Sequence, residues 1–214
     1  MAVTTTCTNY YKYALMKKLV DLSADTIKVL LMRTGFVFDK RVHRQLKNIA
    51  TNTGAISLTW AAVDKSVSRG SVSFVTDGFV AGNYCTSDDV SNPGPFTIAT
   101  VTALKITFNE VVVDSTATKT LTSNDELATG NGYTQQTKTT GTVTVVEDNV
   151  NDRADGTFPT VTWTAAGGSI GPTPDAIFYD STADVIIMDT NFGIDNTATD
   201  GTTFDLAGGT FRDA

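Results

Sequence analysis

Hydrophobic and polar positions alternate in short runs over most of the chain. Between Gly54 and Thr122 the runs are AISLTWAAV, SVSFVT, FTIATV and ALKITFNEVVV, separated by turn signals such as DG, AGN and NPGP. A second series follows a polar stretch from Leu121 to Thr140, and it reads GTVTVVED, TFPTVTWTA, AIFYD and DVIIMDTNFG. Alternation with a period of two, broken by Gly, Pro, Asn and Asp, is typical of strands joined by tight turns. The pattern therefore predicts two sets of antiparallel strands.

Helical periodicity is confined to the first fifty residues. Aromatic and aliphatic residues recur at helical spacing from Asn9 to Asp21, which predicts a helix there. The apolar, β-branched run from Thr26 to Met32 predicts a buried strand. A second short amphipathic helix is predicted from Asp39 to Ala50, because Asp39 is a suitable N-cap and apolar residues follow at i, i+4 and i+7.

These elements indicate a mainly β fold. Many short strands with few helices between them are typical of an antiparallel sandwich, jelly roll or barrel. The 38 threonines favour the pleated surface of a sheet, and 20 of the 23 acidic residues are aspartates, which suit turns. No repeat of fixed period is evident, so solenoids and propellers are disfavoured. We expect an antiparallel sandwich or jelly-roll-like body with one or two short helices near the N-terminus.

Charge and composition narrow the classes of partner. The formal net charge of −7 repels phosphate backbones, so no nucleic-acid partner is expected. No run reaches the roughly 18 apolar residues of a membrane helix, and no apolar signal segment follows the polar N-terminus, so a soluble protein made in the cytosol is expected. Cys7 and Cys85 form no CxxC pair, and two free thiols are expected.

His43 is the single histidine, so any Ser-His-Asp or Cys-His arrangement requires it. Its sequence neighbours are Lys40, Arg41, Arg44 and Lys47, and none of them is a carboxylate that could orient an imidazole. A catalytic His43 is therefore disfavoured. The basic cluster is interpreted as the solvated face of a helix, with a contact to an acidic partner surface as the alternative.

Two aspartate-rich loops were compared with the pattern of a calcium-binding loop, which needs oxygen ligands at alternating positions before a glycine. The positions before Gly156 and before Gly201 are Asn151, Arg153 and Asp155, and Asn196, Ala198 and Asp200. An arginine or an alanine side chain cannot hold a cation, so neither loop fits. Asp77, Asp88 and Asp89 could assemble across loops, but their preference for turns explains them without a metal.

The remaining candidates also have structural explanations. Trp60 and Trp163 each lie in an alternating strand, where core packing is favoured over stacking on a carbohydrate. The glycine clusters at 130–132, 167–171 and 208–209 do not follow the phosphate-binding pattern and are interpreted as tight turns. A carboxylate pair for polysaccharide cleavage cannot be recognised from spacing along the chain. No catalytic residue, no cofactor and no metal ligand is therefore predicted.

Two long segments resemble a known family. YKYALMKKLVDLSADTIKVLLM, from Tyr11 to Met32, and GFVFDKRVHRQL, from Gly35 to Leu46, resemble the opening of a family of small virion structural proteins of tailed bacteriophages. The segment from Glu126 to Asp180 is similar to the second half of that family, including the GYT at 132–134 and the VTW at 161–163. Together these segments cover more than half of the chain.

About seventy residues between Ala50 and Asp125 are additional to the shorter family members, and they carry a likeness of their own. The segment from Ser73 to Phe108 resembles a small β module that recurs in phage tail and capsid proteins. The matching residues are Asp77, Gly78, Phe79, Gly82, Asn92, Gly94, Phe96, Ile98, Val101, Thr102 and Ala103. The two likenesses predict a discontinuous β body, residues 1–50 and 123–214, with an inserted β module at 51–122.

The resemblance implies a structural protein of the virion rather than an enzyme. We expect a decoration or cement protein that binds the major capsid protein of an assembled shell, as a dimer or trimer, without a cofactor. The helix Asn9–Asp21 and the polar arm before it are predicted docking pieces, since chain termini stay mobile unless a partner holds them. The alternatives are a tail, head-to-tail or head-fibre component, and a carbohydrate-binding host adhesin.

Overall fold

A computed structural model describes residues 4–149, 153–208 and 210–213 of the chain. The first half contains β1 (Thr4–Cys7), α1 (Asn9–Met16), β2 (Ile27–Leu31), β3 (Ala50–Asn52), β4 (Ile56–Ala61), β5 (Ser66–Ser68), α2 (Phe74–Asp77), β6 (Tyr84–Ser87), β7 (Phe96–Val101), β8 (Lys105–Phe108), β9 (Ser115–Lys119) and β10 (Leu121–Asn124). The second half contains β11 (Thr144–Asp148), β12 (Arg153–Thr157), β13 (Val161–Thr164), β14 (Ile170–Asp180), β15 (Val185–Ala198), β16 (Thr203–Leu206) and β17 (Thr210–Asp213). The fold is mainly β, with antiparallel sheets, as predicted.

The chain divides into two compact units. Unit 1 comprises residues 1–44 and 126–214, and unit 2 comprises residues 45–125. The sequence placed the corresponding boundaries at 50/51 and 122/123. The two ends of unit 2 lie side by side. Its first strand, β3, pairs antiparallel with its last strand, β10, and the Asp125 amide donates to the Ile49 carbonyl at 3.0 Å.

Unit 1 is built around a four-stranded sheet in the order β1-β15-β14-β2. The long hairpin of β14 and β15 corresponds to the predicted strands AIFYD and DVIIMDTNFG. Alternate residues on one face of this sheet, including Val29, Phe178 and Met188, share a core with Trp163 and Phe204 from the β13-β16 pair. A three-stranded sheet, β11-β12-β17, completes the regular structure of this unit.

The first helix is shorter than predicted and ends at Met16. Thr8 caps it, because its hydroxyl accepts from the Tyr11 amide at 2.9 Å and donates to the Ile186 carbonyl at 2.6 Å. Beyond the helix, Lys18 takes a left-handed conformation with φ of 56°, which ends the helix in the way that a terminal glycine often does. The reversal brings Val20 and Leu22 back into the core of unit 1.

The polar N-terminal arm is not a free docking segment over its described part. Residues Thr4–Cys7 form β1, which pairs antiparallel with β15 from Thr4↔Asn191 to Cys7↔Met188. The arm is therefore held by the chain itself rather than by a partner.

Unit 2 contains an eight-stranded sheet in the order β3-β10-β6-β7-β8-β5-β4-β9, in which every pair is antiparallel. Its core is aromatic at the centre, where Trp60, Phe96 and Phe108 lie with ring centroids 5.0 to 5.6 Å apart. Leu58, Val67 and Ile106 come from neighbouring strands and fill the space around the rings. Unit 2 thus has a hydrophobic core of its own.

Two predicted elements are wrong. No helix spans Asp39–Ala50, where the structure has turns, a short 3₁₀ segment at Leu46–Asn48 and the start of β3. Side chains compete for the backbone there, because His43 Nδ1 accepts from the Asp39 amide and the Asp39 carboxylate accepts from the Arg41 amide. The run SVSFVT, at 71–76, is not a strand, because it leads into the helix α2 instead.

The start of α2 explains the second difference. Ser73 accepts from the Thr76 amide as an N-cap, and Gly78 ends the helix in a left-handed conformation with φ of 98°. These local caps outweigh the strand preference of the valines, which alternation alone does not reveal.

Candidate functional site

His43 is a structural residue. Its side chain is only 1% exposed and lies between the rings of Phe36 and Phe38, with centroid distances of 5.2 and 5.6 Å. Its Nδ1 accepts a hydrogen bond from the Asp39 amide at 2.9 Å. The imidazole therefore organises the 36–43 loop. The basic residues Lys40, Arg41, Arg44 and Lys47 are exposed to solvent as predicted, but they lie in a loop and a 3₁₀ segment rather than on a helix.

The aspartates considered for a cross-loop cation site have other partners. Asp77 pairs with the buried Arg69 guanidinium at 2.7 Å, and Asp88 accepts from the Thr120 amide at 2.8 Å. Asp89 accepts from the Ser115 hydroxyl at 2.7 Å and from the Ser91 amide at 2.9 Å. These contacts order turns, and they do not assemble the three carboxylates.

The aspartate-rich loop before Gly201 is also a turn and not a cation site. Asp200 accepts from the Gly167 amide at 2.9 Å, and Gly201 has φ of 77°, so this loop is a tight turn. Asn151, before Gly156, lies outside the described residues. Within 4–149, 153–208 and 210–213, no group of three or more His, Cys, Asp or Glu side chains is arranged to hold a metal ion.

The tryptophans are buried as predicted, and the two cysteines are free thiols as predicted. Trp60 and Trp163 are buried in the cores of unit 2 and unit 1, respectively. Cys7 and Cys85 are not joined in a disulfide. Burial in unit 2 raises the pKa of Cys85 far above its ordinary value, so this thiol stays protonated and unreactive.

An exposed apolar surface on unit 2 is the first candidate site. Val63 and Val90 are 95% and 90% exposed, and Val111 and Val113 are also largely exposed. Hydrogen bonds join the three loops that carry these residues. We call these four valines the valine surface.

The hydrogen bonds that assemble the valine surface run between its loops. The Ala62 amide donates to Asp114 Oδ1 at 2.7 Å, next to Val63. Asn92 bonds both backbone groups of Val113, accepting from its amide at 2.7 Å and donating to its carbonyl at 2.9 Å. Because Asn92 is itself almost fully buried, the loops are held by fixed contacts rather than by the valines.

The surroundings of the valine surface are acidic. Asp64 and Asp114 are exposed beside it, and Glu110 accepts from the Thr97 amide at 2.6 Å. Two lysines offset part of this charge, because Lys105 forms an ion pair with Asp64 and the exposed Lys65 donates to the Asn109 carbonyl, next to Glu110. Clustered exposed apolar side chains with a polar rim mark protein interaction sites in soluble proteins.

A cleft in unit 1 is the second candidate site. It lies on the face of the four-stranded sheet opposite the core, because Asp175 and Asp189 alternate with the core residues Ala176 and Met188. The cleft has a volume of about 740 Å³ and lies between this sheet face and the 36–41 loop. Its polar lining is formed by Thr4, Thr6, Asp39, Lys40, Arg41, Asp175, Asp189 and Asn191. We call it the acidic cleft.

Two buried carboxylates form the floor of the acidic cleft. Asp175 and Asp189 are 2% and 4% exposed, and their side chains are hydrogen-bonded to each other. Asn191 Nδ2 donates to Asp175 Oδ1 at 2.6 Å. Asp189 Oδ1 is buried and has no hydrogen-bond partner among the described residues.

Burial and proximity change the acidity of this pair. Burial, together with the neighbouring Asp175 charge, raises the pKa of Asp189 to about 8. Burial also raises the pKa of Asp175, against the hydrogen bond from Asn191, which lowers it. Two carboxylates in contact cannot both ionise easily, so the pair holds one proton at neutral pH.

The distance between the carboxyl groups of Asp175 and Asp189 differs from the distance that glycosidases need for polysaccharide cleavage. Glycosidases keep their two carboxyl groups about 5 to 10 Å apart, to leave room for a sugar carbon or a water. Asp175 and Asp189 are in hydrogen-bond contact instead. A proton-sharing pair of this kind can exchange protons or hold a cation. The expectation that the chain is not an enzyme stays a prediction.

Sequence reasoning missed both candidate sites. Asp175 and Asp189 are separated along the chain, and only the register of β14 with β15 brings them together. The alternation of acidic with apolar residues in PDAIFYD and IIMDTN is the signal that could have placed them on one sheet face. The valines of ALKITFNEVVV were assigned to a strand, whereas β8 ends at Phe108.

Comparisons of the chain with protein-family models, with curated proteins and with solved structures found no match. Among the described residues, no helix is both long and apolar enough to span a membrane.

Proposed function

We propose that this chain is a structural protein of a tailed-phage virion, which binds the major capsid protein of the assembled shell and stabilises the particle. The resemblance of segments 11–32, 35–46 and 126–180 to virion structural proteins supports the assignment to a particle. The valine surface is the observation that supports a docking role. A group of exposed apolar side chains with a polar rim is typical of a protein interaction site.

The chemistry of the valine surface specifies its partner. Four valines would insert into an apolar depression, and the surrounding Asp64, Glu110 and Asp114 would face basic residues of the capsid protein. Opposite charge at the rim of an interface speeds association and selects the partner. We therefore expect binding that weakens as the salt concentration rises.

Many copies give such an interface its effect. Fully burying one valine side chain contributes roughly 1.5 kcal/mol or more, so this surface alone supplies only a moderate affinity. A shell offers the same position repeatedly, and the contributions of all occupied positions add to the stability of the closed particle. No cofactor and no catalytic step is needed.

The number of copies per particle tests the location. Quantitative mass spectrometry of purified virions should find on the order of hundreds of copies for a protein that covers a shell. A few dozen copies or fewer would contradict shell binding and favour the tail, head-to-tail or head-fibre alternative. Binding of the purified chain to host glycans, without binding to shells, would favour the adhesin instead.

Substitutions on the valine surface test the docking role directly. The double variant Val63→Asp and Val90→Asp should bind capsids that lack the protein at least about tenfold more weakly in a sedimentation assay. Val146→Asp is the matched control, because Val146 is an exposed valine of β11 in unit 1. Equal binding by the double variant and the control would show that the valine surface is not the docking site.

Particle stability tests the mechanical role. Virions without this protein should lose infectivity at a lower temperature, or at lower salt, than complete virions. Equal survival would show that the protein does not reinforce the shell, even if it binds there.

A further inference from the structure

We propose that the acidic cleft of unit 1 binds one hard divalent cation of the calcium type between Asp175 and Asp189. This site is separate from the valine surface and does not depend on the proposed function. It arises from strand residues, not from the aspartate-rich loops considered in the sequence.

The unpartnered oxygen of Asp189 is the observation that points to a ligand. Asp189 is more than nine-tenths buried and lines the cleft, and its Oδ1 has no hydrogen-bond partner among the described residues. Leaving a buried carboxylate oxygen without a partner is costly, and native structures rarely do so without a reason. A cation bound at this oxygen would remove that cost.

The remaining lining selects the class of cation. Asp175, Asn191, Thr4 and Thr6 line the same cleft as Asp189 and carry side-chain oxygen atoms, and the described lining contains no histidine and no cysteine. Calcium takes six to eight oxygen ligands in flexible geometry, whereas zinc prefers nitrogen and sulfur. An open cleft of about 740 Å³ leaves room for water molecules to complete the coordination shell.

Charge balance favours a divalent cation at this pair. Asp175 and Asp189 are both buried, and two ionised carboxylates close together repel each other. A divalent cation bound between them would compensate both charges.

Other charged groups around the cleft change the affinity for a cation, but they do not make its binding unfavourable. Asp39 also lines the cleft, and the Asp195 charge acts on Asp175. Lys40 and Arg41 are exposed on the 36–41 loop and oppose cation entry, but solvent and salt screen exposed charges more than buried ones.

Calorimetric titration of the full chain with calcium chloride tests the proposal. We expect one ion to bind per chain at pH 8.5, where the carboxylates of the cleft are most available to a cation. Absence of calcium binding at this pH would overturn the proposal, as would a stoichiometry well above one ion per chain.

A pair of aspartate-to-asparagine variants locates the site. Asp189→Asn should lower the affinity by at least about tenfold, since it removes a charged ligand. Asp205→Asn is the matched control and should bind as the unmodified chain does, because Asp205 is an exposed carboxylate held by Thr162 and Thr203. Retained affinity in Asp189→Asn, or an equal loss in both variants, would place binding elsewhere.

Thermal unfolding of the unmodified chain keeps the test decisive if Asp189→Asn does not fold. At pH 8.5 the midpoint temperature should be higher in excess calcium than in EDTA, because a ligand that binds only the folded state stabilises it. An unchanged midpoint would contradict the site.

Discussion

A single phenol in unit 1 connects three parts of the chain. The Tyr133 hydroxyl donates to Glu126 Oε1 at 2.7 Å and accepts from the Leu31 amide at 3.0 Å. It thereby bonds the outer edge of β2, where a further strand would otherwise pair. Gly132 precedes it with φ of 92°, and a Cβ at this position would overlap the Thr164 carbonyl oxygen. The GYT motif therefore has a structural explanation in this chain.

Removing the Tyr133 hydroxyl should cost stability. Tyr133→Phe leaves the Leu31 amide without its partner and Glu126 with one donor fewer, so we expect the free energy of unfolding to fall by about 1 to 3 kcal/mol. Urea denaturation followed by circular dichroism measures the change. Tyr13→Phe is the control, because Tyr13 is 45% exposed, and it should alter stability by less than about 0.5 kcal/mol. Equal effects of the two variants would refute the role of the hydroxyl.

Asp189 also predicts how stability depends on pH. Its pKa is about 8 in the folded chain and near 3.8 when unfolded, so the folded state binds more protons between these values. This contribution to stability is complete below about pH 4 and is lost as the pH rises through 8. Between pH 6 and 8, in EDTA, the free energy of unfolding should fall by up to about 1.4 kcal/mol per pH unit.

Two variants separate the contribution of Asp189 from that of a second buried carboxyl. Burial, with the neighbouring Asp25, raises the pKa of Asp180 to about 6, so its contribution is lost mainly below pH 6. Asp189→Asn should flatten the dependence between pH 6 and 8, whereas Asp180→Asn should leave that range unchanged. A slope that persists in Asp189→Asn would contradict the assignment.

At the scale of elements, the helix α2 explains the residues of the DGF motif, Asp77, Gly78 and Phe79, which is part of the likeness to the phage β module. Asp77 pairs with the buried Arg69 guanidinium, which also lies 3.9 Å above the ring centroid of Phe74. Phe79 packs edge-on against Phe74, with ring centroids 5.6 Å apart. Gly78 ends the helix in a left-handed conformation where the Lys47 carbonyl approaches closely. Each motif residue thus stabilises one helical turn in unit 2.

Gly78 of this motif and the nearby Gly82 make a matched pair of tests. Gly78 and Gly82 have φ of 98° and 93°, but a Cβ would lie 2.5 Å from the Lys47 carbonyl oxygen at Gly78 and within 4 Å of nothing at Gly82. Gly82→Ala should cost only the backbone strain, about 1 to 2 kcal/mol. Gly78→Ala should cost at least about 1 kcal/mol more, because backbone atoms must also move. Chemical denaturation measures both, and equal losses would contradict the close approach.

At the scale of the whole molecule, the chain passes through unit 2 and returns at nearly the same point. Asn124 pairs with Ala50, and the next hydrogen bond joins the Asp125 amide to the Ile49 carbonyl. Each unit has its own hydrophobic core. A unit whose two ends lie side by side can be placed within a chain with little disturbance of the remaining residues.

Unit 1 should therefore fold without the insert. Replacing residues 45–125 with a flexible linker of about six residues should leave a cooperative thermal transition and a β-type circular dichroism spectrum. The isolated segment 45–125 provides the reciprocal measurement. Loss of a cooperative transition in the deletion variant would show that unit 1 needs unit 2 in order to fold.

The sequence by itself determined the class of fold, because alternation, turn residues and β-branched content act locally. Short runs bounded by Gly, Pro, Asn and Asp predicted strands such as β4, β7, β14 and β15 but missed shorter ones such as β3 and β10. The burial of Trp60 and Trp163 followed from their alternating positions. Only the tertiary structure decided that residues 39–50 form turns, since the buried His43 holds the Asp39 amide. It also decided the contact of Asp175 with Asp189 and the grouping of the exposed valines, because strand register and loop hydrogen bonds join residues that no local pattern relates.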